Sequence, residues 1–484
     1  MKISDKTVFD TKSFWMALGV LLLMTPLQMW SQGSAYAFFV PLAIVAILMR
    51  RVEQMIFWLL SSMLLIVGNP FFLPKNATFF IAQRLLFIFL GFYMLAQIFG
   101  RRQSPFVSPL LGMILYVAYM GLTAIAGWNP IISYLKLFLF SIVYFAYYGV
   151  ANMAGQDRSF DARKVRGIVL AIASYFVFGS LLVIPFPAIS QLSGEEYEAA
   201  RLSGRAVTSL FKGMTMHSQT LGPVMAATFA FLFADLVINV RKVHVLYLVL
   251  LLACPFLIYK TSSRTGMAAL LASVLIVGWC ALRMRGIGSR WRGKVKAGIG
   301  VLIVAAVVAV GLSTGVRQSV VRFALKYDKE ARVGDFTMEE MLSTRQGLAD
   351  RQMENFRASP MIGNGFQVSE SMIGLRTATW RELISAPIEK GMWVTAVLEE
   401  GGAIGFLVFV LFLLIAGWKM QKRGVFTGLS VFVTMIVSNM AEFTMFSMSA
   451  MGGYSWALVF IGTAMDAARI RRDQEVNVYA APWS

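Results

Sequence analysis

Apolar runs of about 20 residues, each long enough to cross a hydrocarbon core as a helix, follow one another along most of the chain with short polar breaks between them. Their spacing predicts about fourteen helices, at 13–30, 35–49, 54–69, 77–99, 106–127, 130–152, 166–187, 217–239, 243–259, 265–282, 297–315, 392–418, 425–446 and 448–467. The short alternating segments of a membrane barrel are not part of this pattern. An all-α polytopic integral membrane protein is therefore expected. The first run, Phe14 to Trp30, ends without a small-residue cleavage site and leads into further spans, so it is read as a retained helix and not a signal peptide.

Two polar stretches are too long to be simple turns. One is 188–213; the other, 316–391, is inserted between the eleventh and twelfth predicted helices. Within the second, Thr337 and Glu340 form a T-x-x-E capping box, which predicts a helix through "MLSTRQGLADRQMENFRA" that stops before Pro360. The insertion is thus expected to be a partly helical cap on one membrane domain spanning 1–484. No repeat of fixed period divides the chain further.

Composition agrees with this reading. The chain has 484 residues, of which 58% are hydrophobic and 14% charged, whereas an ordinary soluble domain carries about a quarter charged residues. Lysine and arginine number 44 against 25 acidic residues, a net charge of +19. In a soluble protein that excess would suggest nucleic acid; in a polytopic one it reports orientation. With the N-terminus in the cytoplasm, alternate connections should be basic, and they are: Arg50 and Arg51, Arg101 and Arg102, Arg158 to Arg166, Arg241 and Lys242, Arg283 to Lys296, Lys419 to Arg423, and Arg469 to Arg472. Both termini then fall inside and both long polar stretches outside.

In this topology the eighth, tenth and twelfth helices all start at the outer face, and each start is polar. They carry "MTMHSQTLG", "SSRTG" and "SAPIEKGMW" followed by "LEEGG". Free backbone N–H groups and the helix dipole make such starts favourable for anions, and three together would suit a pyrophosphate. Arg264 can hold two phosphate oxygens at once, with Lys260 and the hydroxyls of Thr261, Ser262, Ser263 and Thr265 beside it; the alternative is an interfacial anchor. His217, at the start of the eighth helix, is a candidate substrate contact. Arg84 and Lys136, set into their helices, are either functional or paired with Glu442, and Asp235 is expected to cap or pair locally. Two histidines and two cysteines, Cys254 and Cys280, each set near opposite faces, give no metal or disulfide pattern. No metal and no cofactor is expected.

Four segments, in this order, resemble the O-antigen ligase and O-antigen polymerase superfamily of bacterial surface polysaccharide synthesis. "GRAVTSLFKGMTMHSQTLG" is similar to the family's arginine, turn and helix start at Arg205, Phe211 and His217. "SSRTGMAAL" is similar to its Ser-Arg-Gly helix opening at Arg264. "STRQGLADRQMENFRASPMIGNGF" resembles an arginine, a helix and a Pro-x-x-Gly-x-Gly turn at Arg345, Pro360, Gly363 and Gly365, and "LEEGGAIGFLVF" its Glu-x-Gly-x-x-Gly helix start. The motifs span about 201–406. One departs from the family: His-Asn, usual nine residues before that glutamate, is replaced by Gly391 and Met392, next to Glu389 and Lys390.

The resemblance implies a glycosyltransferase of the bacterial cytoplasmic membrane that takes a glycan from polyprenyl pyrophosphate at the outer face, in O-antigen-like or exopolysaccharide synthesis. Its partners would be that lipid-linked glycan, a glycan or lipid acceptor, membrane lipids and other assembly proteins, without nucleic acid. Arg205, His217, Lys260, Arg264, Arg345 and Lys390 would bind substrate. Glu389 would be the base, with Glu399, Glu400 and His217 as other candidates. A polymerase, a ligase to a lipid A core, a lipid-linked glycan flippase or secondary transporter, and a structural protein remain distinct readings at this point.

Overall fold

The computed structural model describes residues 8–100, 108–191, 211–239, 244–261, 263–283, 338–368, 391–440, 443–447 and 451–480. Among these every regular element is helical, and the only bridges are the isolated pairs Gly68 with Thr215 and Gln191 with Phe211. The helices are α1 Thr11–Trp30, α2 Ala35–Leu48, α3 Val52–Val67, α4 Ala77–Gly100, α5 Met113–Thr123, α6 Pro130–Gln156, α7 Ala162–Leu182, α8 Ser218–Asn239, α9 Val245–Lys260, α10 Arg264–Arg283, α11 Met338–Ala358, α12 Trp393–Lys422, α13 Phe426–Ser438 and α14 Met451–Ala480. A single further turn spans Pro187–Ser190.

Among the described residues, eight segments are long and apolar enough to cross a membrane: Thr11–Trp30, Ala77–Ile98, Ser108–Ala126, Pro130–Gln156, Ala162–Leu182, Gln219–Ile238, Arg264–Ala281 and Trp393–Lys422. Four shorter apolar helices, α2, α3, α9 and α13, accompany them. The all-α membrane character expected from the apolar runs is what the structure has. The predicted span 297–315 lies outside the described residues, as does Thr337 of the capping box; the helix that box predicted is α11.

Polar caps set many boundaries. Asp10 accepts from Ser13 N–H at 2.9 Å, Asn129 from Ile132 N–H at 3.2 Å with Pro130 in the first turn, and Asp161 from Arg163 N–H at 2.9 Å, each satisfying an orphan donor of a helix start. One boundary differs markedly from expectation. The predicted helix 425–446 stops at Ser438, because Asn439 Nδ2 donates back to Met435 O at 2.7 Å while its Oδ1 accepts from the N–H groups of Thr444 and Met445. That side chain turns the chain toward α14, which runs on to Ala480 instead of ending near 467.

Contacts sort the helix termini into two ends. At the first, α7 begins beside the end of α8, α3 begins beside Asp161, and Arg471 near the end of α14 reaches the end of α6. At the second, the end of α3 meets Met214 just before α8, and the 443–447 segment meets Gly391 just before α12. Between them α8 packs on α9, α10, α13 and α14, and α1 runs alongside α7. An aromatic cluster of Tyr116, Phe140, Phe366, Phe409 and Phe446 fills the space between α5, α6 and α12.

The first end is closed by ion pairs and caps. Arg166 of α7 donates to Asp235 of α8 through Nε and Nη2, at 2.6 and 3.0 Å, and to Val8 O at 2.8 Å; Tyr247 of α9 donates to the same carboxylate at 2.7 Å. Asp235 therefore pairs across 69 residues of sequence and not locally as expected. A bidentate pair with further hydrogen bonds is the geometry in which buried charges are tolerated.

Candidate functional site

The second end carries two constellations. The first is built by glycine. A Cβ on Gly222 of α8 would lie 2.3 Å from the Cβ and Oγ of Ser263, and one on Gly266 of α10 would lie 3.0 Å from the Gly222 backbone. Without those side chains the two backbones touch, so the starts of α8 and α10 lie side by side with their dipoles pointing the same way.

His217 stands immediately before α8 with its side chain exposed, and its carbonyl accepts from Thr215 Oγ1 at 2.9 Å. Lys260 is exposed at the end of α9, its Nζ 5.7 Å from the Phe256 ring centroid. Arg264 is the half-buried first residue of α10. Two of the hydroxyls beside it cap helices, and Ser262 lies outside the described residues. Thr261 Oγ1 donates to Ile258 O at 2.8 Å and closes α9, while Ser263 Oγ accepts from Gly266 N–H at 3.1 Å and caps α10. They set the end of α9 and the start of α10, where Lys260 and Arg264 stand beside the two helix starts.

The second constellation is a break in α12. Gly402 has φ +64° and ψ −169°, inside a helix that is otherwise regular, a conformation essentially reserved for glycine. The carbonyls of Glu399 and Glu400 are freed there, and they accept instead from the N–H groups of Asn364 and Gly365 at 2.9 and 3.0 Å. Ala403 and Ile404 N–H donate in turn to Pro360 and Met361 O at 2.8 and 3.3 Å. The Pro360–Phe366 turn thus takes over the helical bonds of the break, as irregular backbone at membrane depth requires. Gly363, at φ +71°, makes the approach possible, since a Cβ there would lie 2.4 Å from the Glu400 backbone.

Other side chains lock this interlock. Tyr119 of α5 donates to Gly401 O at 2.8 Å, Trp128 N–H to Asn364 O at 2.9 Å, and Ser133 Oγ accepts from Phe366 N–H at 2.8 Å. Lys136, buried in α6, donates to Gln367 O at 3.1 Å; Glu442, its expected partner, lies outside the described residues. Both Glu399 and Glu400 are buried, at 3% and 0% exposure, a costly placement for carboxylates in any membrane helix. Glu399 Oε1 accepts from Asn355 Nδ2 of α11 at 2.8 Å. One turn earlier Thr395 Oγ1 donates to Gln352 Oε1 at 2.6 Å.

The two constellations are linked by α13, which packs on α8, α10 and α12 and whose Asn439 O accepts from Trp393 N–H at 3.1 Å. Of the predicted site residues, the structure sets His217, Lys260 and Arg264 around the paired starts of α8 and α10. Arg345 lies on α11. Arg205, Glu389 and Lys390 lie outside the described residues. Gln352 and Asn355 were not anticipated: polar residues three apart on a polar helix carry no sequence signal until the facing helix is known. Among the described residues no group of three His, Cys, Asp or Glu is placed to hold a metal ion. No family model and no curated protein matches the chain.

Proposed function

We propose that this protein is a membrane glycosyltransferase that transfers or polymerises glycan units from polyprenyl pyrophosphate at the outer face of a bacterial cytoplasmic membrane, as the O-antigen polymerases and ligases that its motifs resemble do. The observation that carries the reading is the interlock of "PMIGNGF" with "LEEGGAIG". These two motif segments, separated by about forty residues in sequence, exchange four backbone hydrogen bonds, which is the behaviour expected of motifs maintained for one site. In this reading the chain has fourteen spans, with the arginine-rich end containing Arg166, Arg423 and Arg471 in the cytoplasm. The end containing Arg264 and the α12 break then faces outward.

Chemically, a sugar hydroxyl attacks the anomeric carbon and polyprenyl pyrophosphate leaves. Negative charge grows on the leaving group, so Arg264, Lys260 and Arg205, with the α8 and α10 starts, stabilise the transition state more than the ground state. A polymerase is favoured over a ligase because the loop His-Asn is replaced. Arg264→Ala should abolish transfer while the protein still inserts and accumulates; near-normal transfer would reject the pyrophosphate role.

A second reading has one observation in its favour. A broken helix with buried carboxylates is also how secondary transporters build ion and substrate sites. Deleting the gene and identifying what collects on the polyprenyl carrier separates the readings. Single units outside indicate a polymerase, long unattached chains a ligase, and units trapped inside a flippase. An unchanged lipid-linked pool rejects all three.

A further inference from the structure

The glycosyltransfer reading leaves the acceptor half of the reaction without a described residue, and the seam between α11 and α12 supplies one. Gln352 and Asn355 share a face of α11, and Thr395 and Glu399 share a face of α12. They meet in the two rungs given above, Thr395 to Gln352 and Asn355 to Glu399. Gln352, Thr395 and Glu399 are buried, at 2%, 8% and 3% exposure. Apolar side chains would dock a cap helix on a membrane helix at lower cost, because every polar atom in such a seam must find a partner.

One atom does not. Gln352 Nε2 is buried and meets no hydrogen-bond partner among the described residues. Its rung partner Thr395 and the carboxylate residue Glu399 are one helical turn apart on α12, about 6 Å along the axis. A buried amide donor and a carboxylate on neighbouring rungs form a complementary pair for a hydroxyl, the amide donating to its oxygen and the carboxylate accepting its hydrogen.

We propose that this seam is the subsite for the acceptor sugar's hydroxyl, with Gln352 Nε2 holding its oxygen and Glu399 receiving its proton; the assignment rests on the glycosyltransfer reading. As the hydroxyl oxygen bonds to the anomeric carbon, the bond from that carbon to the pyrophosphate oxygen breaks and its electron pair leaves with the polyprenyl pyrophosphate. The acceptor's proton passes to Glu399 and is later released to water. No oxidant, reductant or further reactant is required.

The test uses full-length protein in lipid vesicles. The donor is the lipid-linked glycan extracted from deletion cells, and the acceptor is the same glycan released from its carrier by mild acid. Gln352→Met, close in shape and lacking the donor, should raise the KM for released glycan at least tenfold and leave the KM for lipid-linked donor within twofold. Glu399→Gln should lower kcat at least a hundredfold while leaving the KM for lipid-linked donor within twofold. Thr395→Val, which keeps the packing, should show a smaller rise in acceptor KM. Variants that lose only thermal stability, with kcat and both KM values unmoved, would make the seam a structural latch and overturn the subsite while leaving the glycosyltransfer reading intact. Wild-type vesicles that transfer nothing from the lipid-linked donor would overturn both.

Discussion

The two ends of the helix bundle use polar groups in opposite ways. At the end where α7 begins, cations finish on partners that hold the fold: Arg166 on Asp235, Arg471 on the carbonyls of Gly155 and Asp157 at 2.7 and 2.8 Å, Arg423 on Ser108 at 2.6 Å and Arg469 on Gly424 O at 3.2 Å. At the other end the backbone is irregular, two carboxylates are buried at a helix break, and Gln352 carries a donor without a partner among the described residues. Arginine staples stabilise one end. Glycine geometry and buried polar side chains shape the other, where stability alone would favour apolar packing.

The sharpest way to test that contrast is to remove a staple. Asp235→Ala leaves the Arg166 guanidinium buried without its carboxylate, which should cost about 3–5 kcal/mol. Thermal unfolding of the detergent-purified protein should register the loss as a large fall in midpoint, and membrane accumulation should drop with it. Replacing both partners, Arg166→Met with Asp235→Leu, should recover more than half of the stability. Glycan transfer per folded molecule should stay near wild type. A transfer defect in the double variant beyond its stability loss would mean that the two ends are not separable.

The complementary change is Gly402→Ala. Its Cβ would lie 2.3 Å from the Met361 carbonyl carbon, and φ +64° disfavours any side chain, so about 1–3 kcal/mol of strain is expected at the break. The effect should be local. Limited proteolysis within 359–368 should accelerate at least tenfold and transfer should fall, while the bundle's unfolding midpoint moves less than in Asp235→Ala. Equal protease resistance would show that the Pro360–Phe366 turn does not depend on the break.

Much of this was legible in the sequence, for reasons that differ between the ends. The apolar runs located the helices because lipid demands long apolar segments; the caps at Asp10 and Asp161 start α1 and α7 at Thr11 and Ala162, ahead of the expected 13 and 166. The stop at Asn439 was not legible, since residues 440–446 are mostly apolar and continue the run, and only the side chain's hydrogen bonds reveal the turn. The glycines of "PMIGNGF" and "LEEGG" could be read as sites of unusual backbone. That each exists to admit the other, with Gly363 against Glu400 and Gly402 against Met361, depends on a tertiary contact that no local window contains. The hydroxyls around Arg264 show a role that the sequence does not separate from ligand chemistry: Thr261 and Ser263 cap helices.

A pH-dependent effect concerns Lys75, in the turn between α3 and α4 at the irregular end. Its Nζ donates to Gly68 O at 2.8 Å and to Ile66 O, closing the end of α3, and burial pushes its pKa down from 10.5 to about 7. The unfolded chain holds this proton up to about pH 10.5, whereas the folded chain releases it near 7. Between those values the unfolded state binds more protons, so this group makes stability rise with pH, by at most about 1.4 kcal/mol per pH unit. Below pH 7 the full cost of burying the ammonium is present; above 10.5 it has been removed. The arginine staples keep their charge across that window, so they add no slope of their own. Unfolding midpoints of wild type and Lys75→Met, compared from pH 7 to pH 9.5, should diverge in slope whatever their offset, and parallel lines would mean that Lys75 does not titrate in that window.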